Sequence, residues 1–236
     1  MIVTIHQPEH QPWLGFFNKM SMSDVYVILD DVQYVKNNYQ NRNRIMGSNG
    51  PQWLSVPVVN KGRIETTILD IVTNDEQNPV WRKKYLNTIE MSYRKKPYFN
   101  DIYPFVEKTI NSEIKSLFEI NYALIMKYAE LLDIKPKFVR ASRLKKEGKK
   151  SNLVLSICKN LGADIYISGE GGRHYMHLDD FRDSGVNVLF QKYSHPIYNQ
   201  HSKREFEPYM STMDLLMNVP LDQARSLIRD YGQMIE

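Results

Sequence analysis

The chain has one cysteine, Cys158. A single thiol excludes an internal disulfide and a Cys-rich zinc site. Its place in an apolar helical pattern marks it as an inert core thiol. No apolar run approaches the roughly 18 residues of a membrane-crossing helix. The N-terminus lacks the basic segment and apolar core of a secretion signal, so a cytoplasmic location is expected. An excess of one charge is nearly missing too: 31 Lys and Arg against 27 Asp and Glu leave +4, too little to imply nucleic acid by itself. There is no internal repeat.

What is there suffices for a fold. The chain has 236 residues, 42% of them apolar, enough for a substantial core without staples. Met1 to Ile5 is a short β-branched run and predicts a buried strand. It feeds a loop, His6-Gln7-Pro8-Glu9-His10-Gln11-Pro12, whose two prolines forbid regular structure. A short helix over 16–22 and a second strand, Asp24 to Leu29, complete a βαβ unit. Ligands of open parallel sheets bind at the carboxyl ends of the strands, and His6, His10, Asp30 and Asp31 fall there.

Arg42 and Arg44 follow in an extended segment and share one face by the two-residue period. Asn49-Gly50 signals a turn, with a return strand over 52–58. Lys61 to Asp75 is looser, with strand-like spacing over 68–72. Residues 79–134 read as helices: Trp81, Tyr85 and Ile89 repeat every four residues, and Leu117 to Leu131 carries an apolar stripe. Basic residues cluster only over Lys135 to Lys150, a solvated loop or a lid that meets phosphate. Ser151 to Leu161 is a helix that Gly162 should cap. A strand over 165–167 then runs into Ser168-Gly169-Glu170-Gly171-Gly172, where glycines let backbone approach an anion. Ser211 and Asp214 have capping-box spacing. The expected fold is one α/β domain, 1–236, with a mostly parallel sheet, the first strand central, flanking helices and a helical insertion over about 79–134.

Six separated blocks carry a resemblance. They are His6-Gln7-Pro8 with Pro12 to Phe17; Asp24-Val25 with Asp30 to Tyr34; Gln40 to Ile45 with Asn49-Gly50; Trp53-Leu54 with Val56-Pro57; Gly162-Ala163-Asp164 with Ser168-Gly169; and Ser211, Asp214 to Leu216 and Asn218. In this order they resemble the WbqC-like proteins. The resemblance implies a bacterial protein of surface-polysaccharide (O-antigen) biosynthesis. Its implied partners are a nucleotide-linked amino sugar and a small acyl or aminoacyl donor, joined as an amide. It assigns no catalytic residue.

The residues themselves suggest roles. His6, His10 and Asp30 are the catalytic candidates, with His6 as general base and Glu9 orienting its ring. Gln7, Asp31, Lys36, Arg42, Arg44, Ser168, Gly169, Glu170, Gly171 and Tyr175 are the expected substrate contacts, the arginines forking onto pyrophosphate. His6, His10, Asp30, Arg42 and Arg44 should share one cleft with the loop Ser168 to Gly172. The His loop also resembles, loosely, the HxGH loop of adenylate-forming and nucleotidyl-transferring enzymes. Here the histidines stand four apart and no Lys/Ser-rich second loop is evident, so use of ATP and Mg²⁺ is left open, with Asp30 and Asp31 to hold such an ion or the amine and a nucleotidyl- or adenylate-forming transferase as the alternative enzyme. A non-catalytic nucleotide-sugar binding protein is the reading from another class. No nucleic acid or membrane segment is expected, and self-association is left open.

Overall fold

The computed structural model describes residues 1–59 and 66–236. The start of the looser stretch read over 61–75 therefore lies outside the described residues. The first elements are β1 (Ile2–His6), α1 (Leu14–Ser21) and β2 (Val25–Ile28). A hairpin of β3 (Arg42–Gly47) and β4 (Gly50–Ser55) follows, then α2 (Trp81–Tyr93), α3 (Phe99–Ile110) and α4 (Leu117–Leu131). The rest is β5 (Lys137–Arg140), α5 (Ser151–Leu161), β6 (Ile165–Ser168), α6 (Leu178–Asp183), β7 (Asn187–Tyr193), α7 (Thr212–Asn218), α8 (Leu221–Arg229) and β8 (Gly232–Ile235).

Six strands form one sheet in the order β5-β2-β1-β6-β7-β8. Every pair is parallel except β7 with β8. The expected α/β architecture with β1 inside the sheet is what the chain adopts. Period two along the strands builds the layers. Val3 and Ile5 of β1, with Val25 and Val27 of β2, face α5 and α6 and meet Val154, Ile157, Cys158 and Phe181. Tyr26 and Ile28 of β2 turn to the opposite face, where α1, α7, α8 and the middle helices pack. Buried on both faces, these strands read as unbroken apolar runs. Cys158 sits fully buried in the first of these cores, and burial pushes its thiol up to about 12.

Some local readings hold and some fail for visible reasons. Gly162 caps α5 at φ 69°, a left-handed conformation that glycine adopts without strain. The stretch 68–72 is not a strand. Ile68–Asp70 is a 3₁₀ turn, and Thr67 Oγ1 donates to Asp70 Oδ2 at 2.7 Å. Ile68 and Ile71 are both fully buried, a spacing of three that suits such a turn. Ser211 does not cap α7 with its side chain. Asp214 is instead drawn inward, accepting from the hydroxyls of Tyr93 and Tyr198, each at 2.7 Å.

Candidate functional site

The strand after β1 lies on one side of it and β6 lies on the other, so the sheet order reverses between β1 and β6. At such a switch point the loops leaving the two strands splay apart and a crevice opens at their carboxyl ends. A cavity of about 340 Å³ lies there. His6, Gln7 and Glu9 enter from the loop after β1, Lys19 from α1, and Ser168, Gly169, Gly171 and Tyr175 from the loop after β6. The glycines leave real space: a Cβ built at Gly169 or Gly171 meets no heavy atom within 4 Å. At Gly172 it would stand 2.0 Å from Ser168 Oγ, so that glycine serves a close approach inside the loop.

The ionisable groups of the cavity are unlike free ones. His6 Nδ1 lies 3.2 Å from the Gln7 carbonyl. A carbonyl only accepts, so a neutral ring that makes this bond carries its proton on Nδ1 and leaves Nε2 as the acceptor. Burial, then the Lys19 charge, hold the His6 pKa well below its usual value, against the Gln7 bond. Glu9 lies on the Nε2 side, with Oε1 4.0 Å away and Oε2 buried without a partner. Burial lifts its carboxyl to about 7, against the pull of Lys19. Burial lowers the Lys19 ammonium to about 8, against the pull of Glu9. Neutral imidazole and a carboxyl titrating near neutrality are therefore adjacent, an arrangement suited to moving protons.

The remaining expected site residues lie elsewhere, and the single cleft resolves into separate places. His10 is fully buried. Its Nδ1 meets Asn121 Oδ1 and its Nε2 meets the Tyr85 hydroxyl, both at 2.7 Å, which ties the loop to α2 and α4. Asp30 is also fully buried and accepts from Arg140 Nε at 2.8 Å and from Ser142 N and Oγ, joining the ends of β2 and β5. Asp31 accepts from Lys146 Nζ at 2.5 Å. Both carboxylates are thus paired with side-chain cations.

Arg42 donates to the Asn37 carbonyl and lies over the Trp53 ring at 4.3 Å. Arg44 reaches Glu207 at 3.5 Å and the Pro208 carbonyl. The two share a strand face yet are held by different neighbours and do not form a joint fork. Lys36 is exposed and Glu170 pairs with Arg173; neither lines the cavity. A larger hollow of about 830 Å³ lies over the basic segment, lined by Lys145, Lys146, Lys159 and one acid, Glu147. It holds no imidazole, and the reaction site is sought at the switch point instead.

Lys19 was not among the expected residues. Its signal is in α1, where one lysine stands among Phe16, Phe17 and Met20, all buried. A charge in a short helix that is buried from Leu14 to Met20 has no solvated face to occupy.

The WbqC-like protein family matches residues 7–226, a span that contains all of the cavity's polar residues except His6. The chain belongs to the WbqC-like protein family. This WbqC-like chain is also 28% identical, over 218 residues, to an uncharacterized protein of Mycobacterium tuberculosis; the alignment covers 92% of this chain and 93% of that one. No solved structure matches. Among the described residues, no helix is long and apolar enough to cross a membrane.

Proposed function

We propose that this WbqC-like chain is an enzyme that forms an amide on the amine of a nucleotide-linked amino sugar, in the building of a bacterial surface polysaccharide. The observation that carries the reading is the adjacency of His6 and Glu9 in the switch-point cavity, with Nε2 and Oε1 4.0 Å apart. A sugar amine is largely protonated near neutral pH and attacks only after losing its proton. Glu9, with its carboxyl lifted to about 7, is matched to take it. The amine nitrogen then bonds the acyl carbon of an activated donor and loses its second proton as the bond from that carbon to the leaving group breaks; one of the two protons goes to the leaving group through Glu9 or His6 and the other to solvent. The general base expected at His6 thus passes to Glu9, because burial and Lys19 hold the imidazole basicity too low.

The cavity's size bears on which part of the ligand it takes. Small-molecule pockets run from about 300 to 1,000 Å³, and 340 Å³ suits a sugar-sized portion with the nucleoside over the mouth. The test is to incubate the protein with a panel of nucleotide-linked amino sugars and acyl or aminoacyl donors, with and without ATP, and to follow the sugar's mass. An acyl mass gain that disappears in Glu9→Gln is the expected result. No gain with any pairing, or a gain unchanged in Glu9→Gln, overturns the reading.

A further inference from the structure

Lys19 is a cation in an unusual position. It is 3% exposed, it reaches the cavity from α1, and its Nζ makes a 3.3 Å bond to the Ile5 carbonyl. An ammonium carries three donors. Among the described residues no carboxylate comes within ion-pairing distance of it; Glu9 acts on it only through space. A buried charge is normally paired, because leaving it alone in a poorly solvated site is costly. The protein retains this one at the sheet's switch point, in a cavity that Gly169 and Gly171 also line; a Cβ built at either glycine would meet no heavy atom within 4 Å. The arginines of the hairpin, the obvious cations for a pyrophosphate, are held by Asn37, Trp53, Glu207 and Pro208 instead.

We infer that Lys19 is the anion-binding residue of this cavity and receives a phosphoryl group of the ligand beside the Gly169–Gly171 backbone. This rests on the proposed function only for the ligand's name; the binding claim stands on the unpaired ammonium and the space beside it. A phosphoryl oxygen supplies the missing counter-charge and accepts the donors that the Ile5 carbonyl leaves over. The ammonium acts as a point charge and needs no planar fork.

The experiment uses inorganic pyrophosphate, with acetate as a carboxylate control, in calorimetric titrations of the wild-type chain and of Lys19→Met. Methionine keeps a straight chain of similar length and removes the charge. The wild type should bind pyrophosphate and not acetate. Lys19→Met should bind it at least about tenfold more weakly, the smallest loss expected for a charged hydrogen bond. It should also melt higher than the wild type without ligand, since an unpaired buried charge has been removed. A second measurement needs no variant: pyrophosphate should shield Lys19 from reductive methylation, read by peptide mass spectrometry. Equal pyrophosphate affinity in the variant, or undiminished methylation, overturns the inference. If acetate binds as well as pyrophosphate, the phosphoryl assignment falls. Pyrophosphate binding through Lys19 with no amide formed in any pairing leaves this inference standing and removes the proposed reaction; the converse result does the opposite.

Discussion

His6 Nε2 and Glu9 Oε1 stand 4.0 Å apart at the end of β1, and the two groups have exchanged their usual ranks. The imidazole is held well below its ordinary pKa, while the carboxyl is lifted to about 7. Near neutrality the carboxyl, not the ring, changes charge. We expect kcat/KM for amide formation to rise with pH through about 7 as Glu9 ionises. His6→Gln should keep that limb at a lower plateau. Glu9→Gln should lose it together with about 10²-fold or more of the rate. Rate profiles of the three proteins from pH 5 to 9 decide it; a limb that vanishes with His6 instead returns the base to the histidine.

The same carboxyl makes a stability prediction. A carboxyl whose pKa is higher folded than unfolded holds its proton longer in the native state, so stability falls as pH rises between the two values. For Glu9 that window runs from 4.5 to about 7, with a loss on the order of 3 kcal/mol. Glu9→Gln should gain on the wild type by that amount across the window and hold a constant lead above it. Urea unfolding of both proteins at pH 4.5, 5.5, 6.5 and 7.5 measures the difference. A constant gap would mean that Glu9 is not desolvated.

His10 gives the opposite sign in an overlapping window, which is why each effect must be read against its own variant. Burial brings its pKa down to about 4 from 6.5, against the Asn121 bond. The unfolded chain takes the proton first, so this contribution is lost as pH falls from 6.5 to about 4. His10→Leu strands the Asn121 carbonyl oxygen and weakens the Tyr85 contacts in the core. At pH 7 it should cost about 2–5 kcal/mol, from one or two unsatisfied buried groups. That gap should narrow toward pH 4 as the wild type loses its own share. A variant as stable as the wild type at pH 7 would remove His10 from the framework.

These contrasts mark how far the sequence could be read. The inner strands and the helices of the middle third were legible because β1, β2 and β6 are short, mostly apolar runs and the helices keep an apolar stripe, whereas the edge strand β8, Gly232–Ile235, carries no such signal. The switch-point loops were legible as the polar segments after β1 and β6. His10, Asp30 and Arg44 were placed wrongly in the cleft for a common reason. A polar residue in a loop or an extended segment looks the same in one dimension whether it faces a cavity or a neighbouring element. Partners more than 100 residues away, Asn121, Arg140 and Glu207, decide which. Glu9 was legible as a neighbour of His6, but its rank as the titrating group follows from burial, which no spacing encodes.

Asp30 follows as a case of structure rather than chemistry. It is fully buried under Arg140 and Ser142, and Arg140 retains some exposure, so the loss on removing it is smaller than for a sealed pair. Asp30→Ala should lower unfolding free energy by about 2–4 kcal/mol, while the folded protein keeps its affinity for nucleotide sugar within about twofold, by the additivity of distant sites. Parallel denaturation and titration experiments check both halves. Lost binding in a stably folded variant would put Asp30 back in the site.

The last prediction separates space from contact within the loop after β6. Gly171 and Gly172 are adjacent and neither adopts a left-handed φ, so alanine is not excluded by backbone conformation at either. What differs is the surroundings. A Cβ at Gly172 meets Ser168 Oγ at 2.0 Å, and Met176 Sδ at 3.1 Å, while Ser168 is itself buried and held by the Gly169 carbonyl. Gly172→Ala must therefore push the 3₁₀ turn Glu170–His174 off the end of β6, at about 1–3 kcal/mol by analogy with overpacked cores. A Cβ at Gly171 meets nothing within 4 Å and lies on the cavity wall. Gly171→Ala should leave the melting temperature unchanged or slightly raised, since it also restricts the unfolded chain. Its methyl should instead occupy ligand space and weaken nucleotide-sugar binding several-fold. Thermal melts with a titration of each variant give the two-way comparison. If Gly171→Ala binds as the wild type does, the ligand does not approach this side of the crevice, and the loop after β6 serves the fold alone.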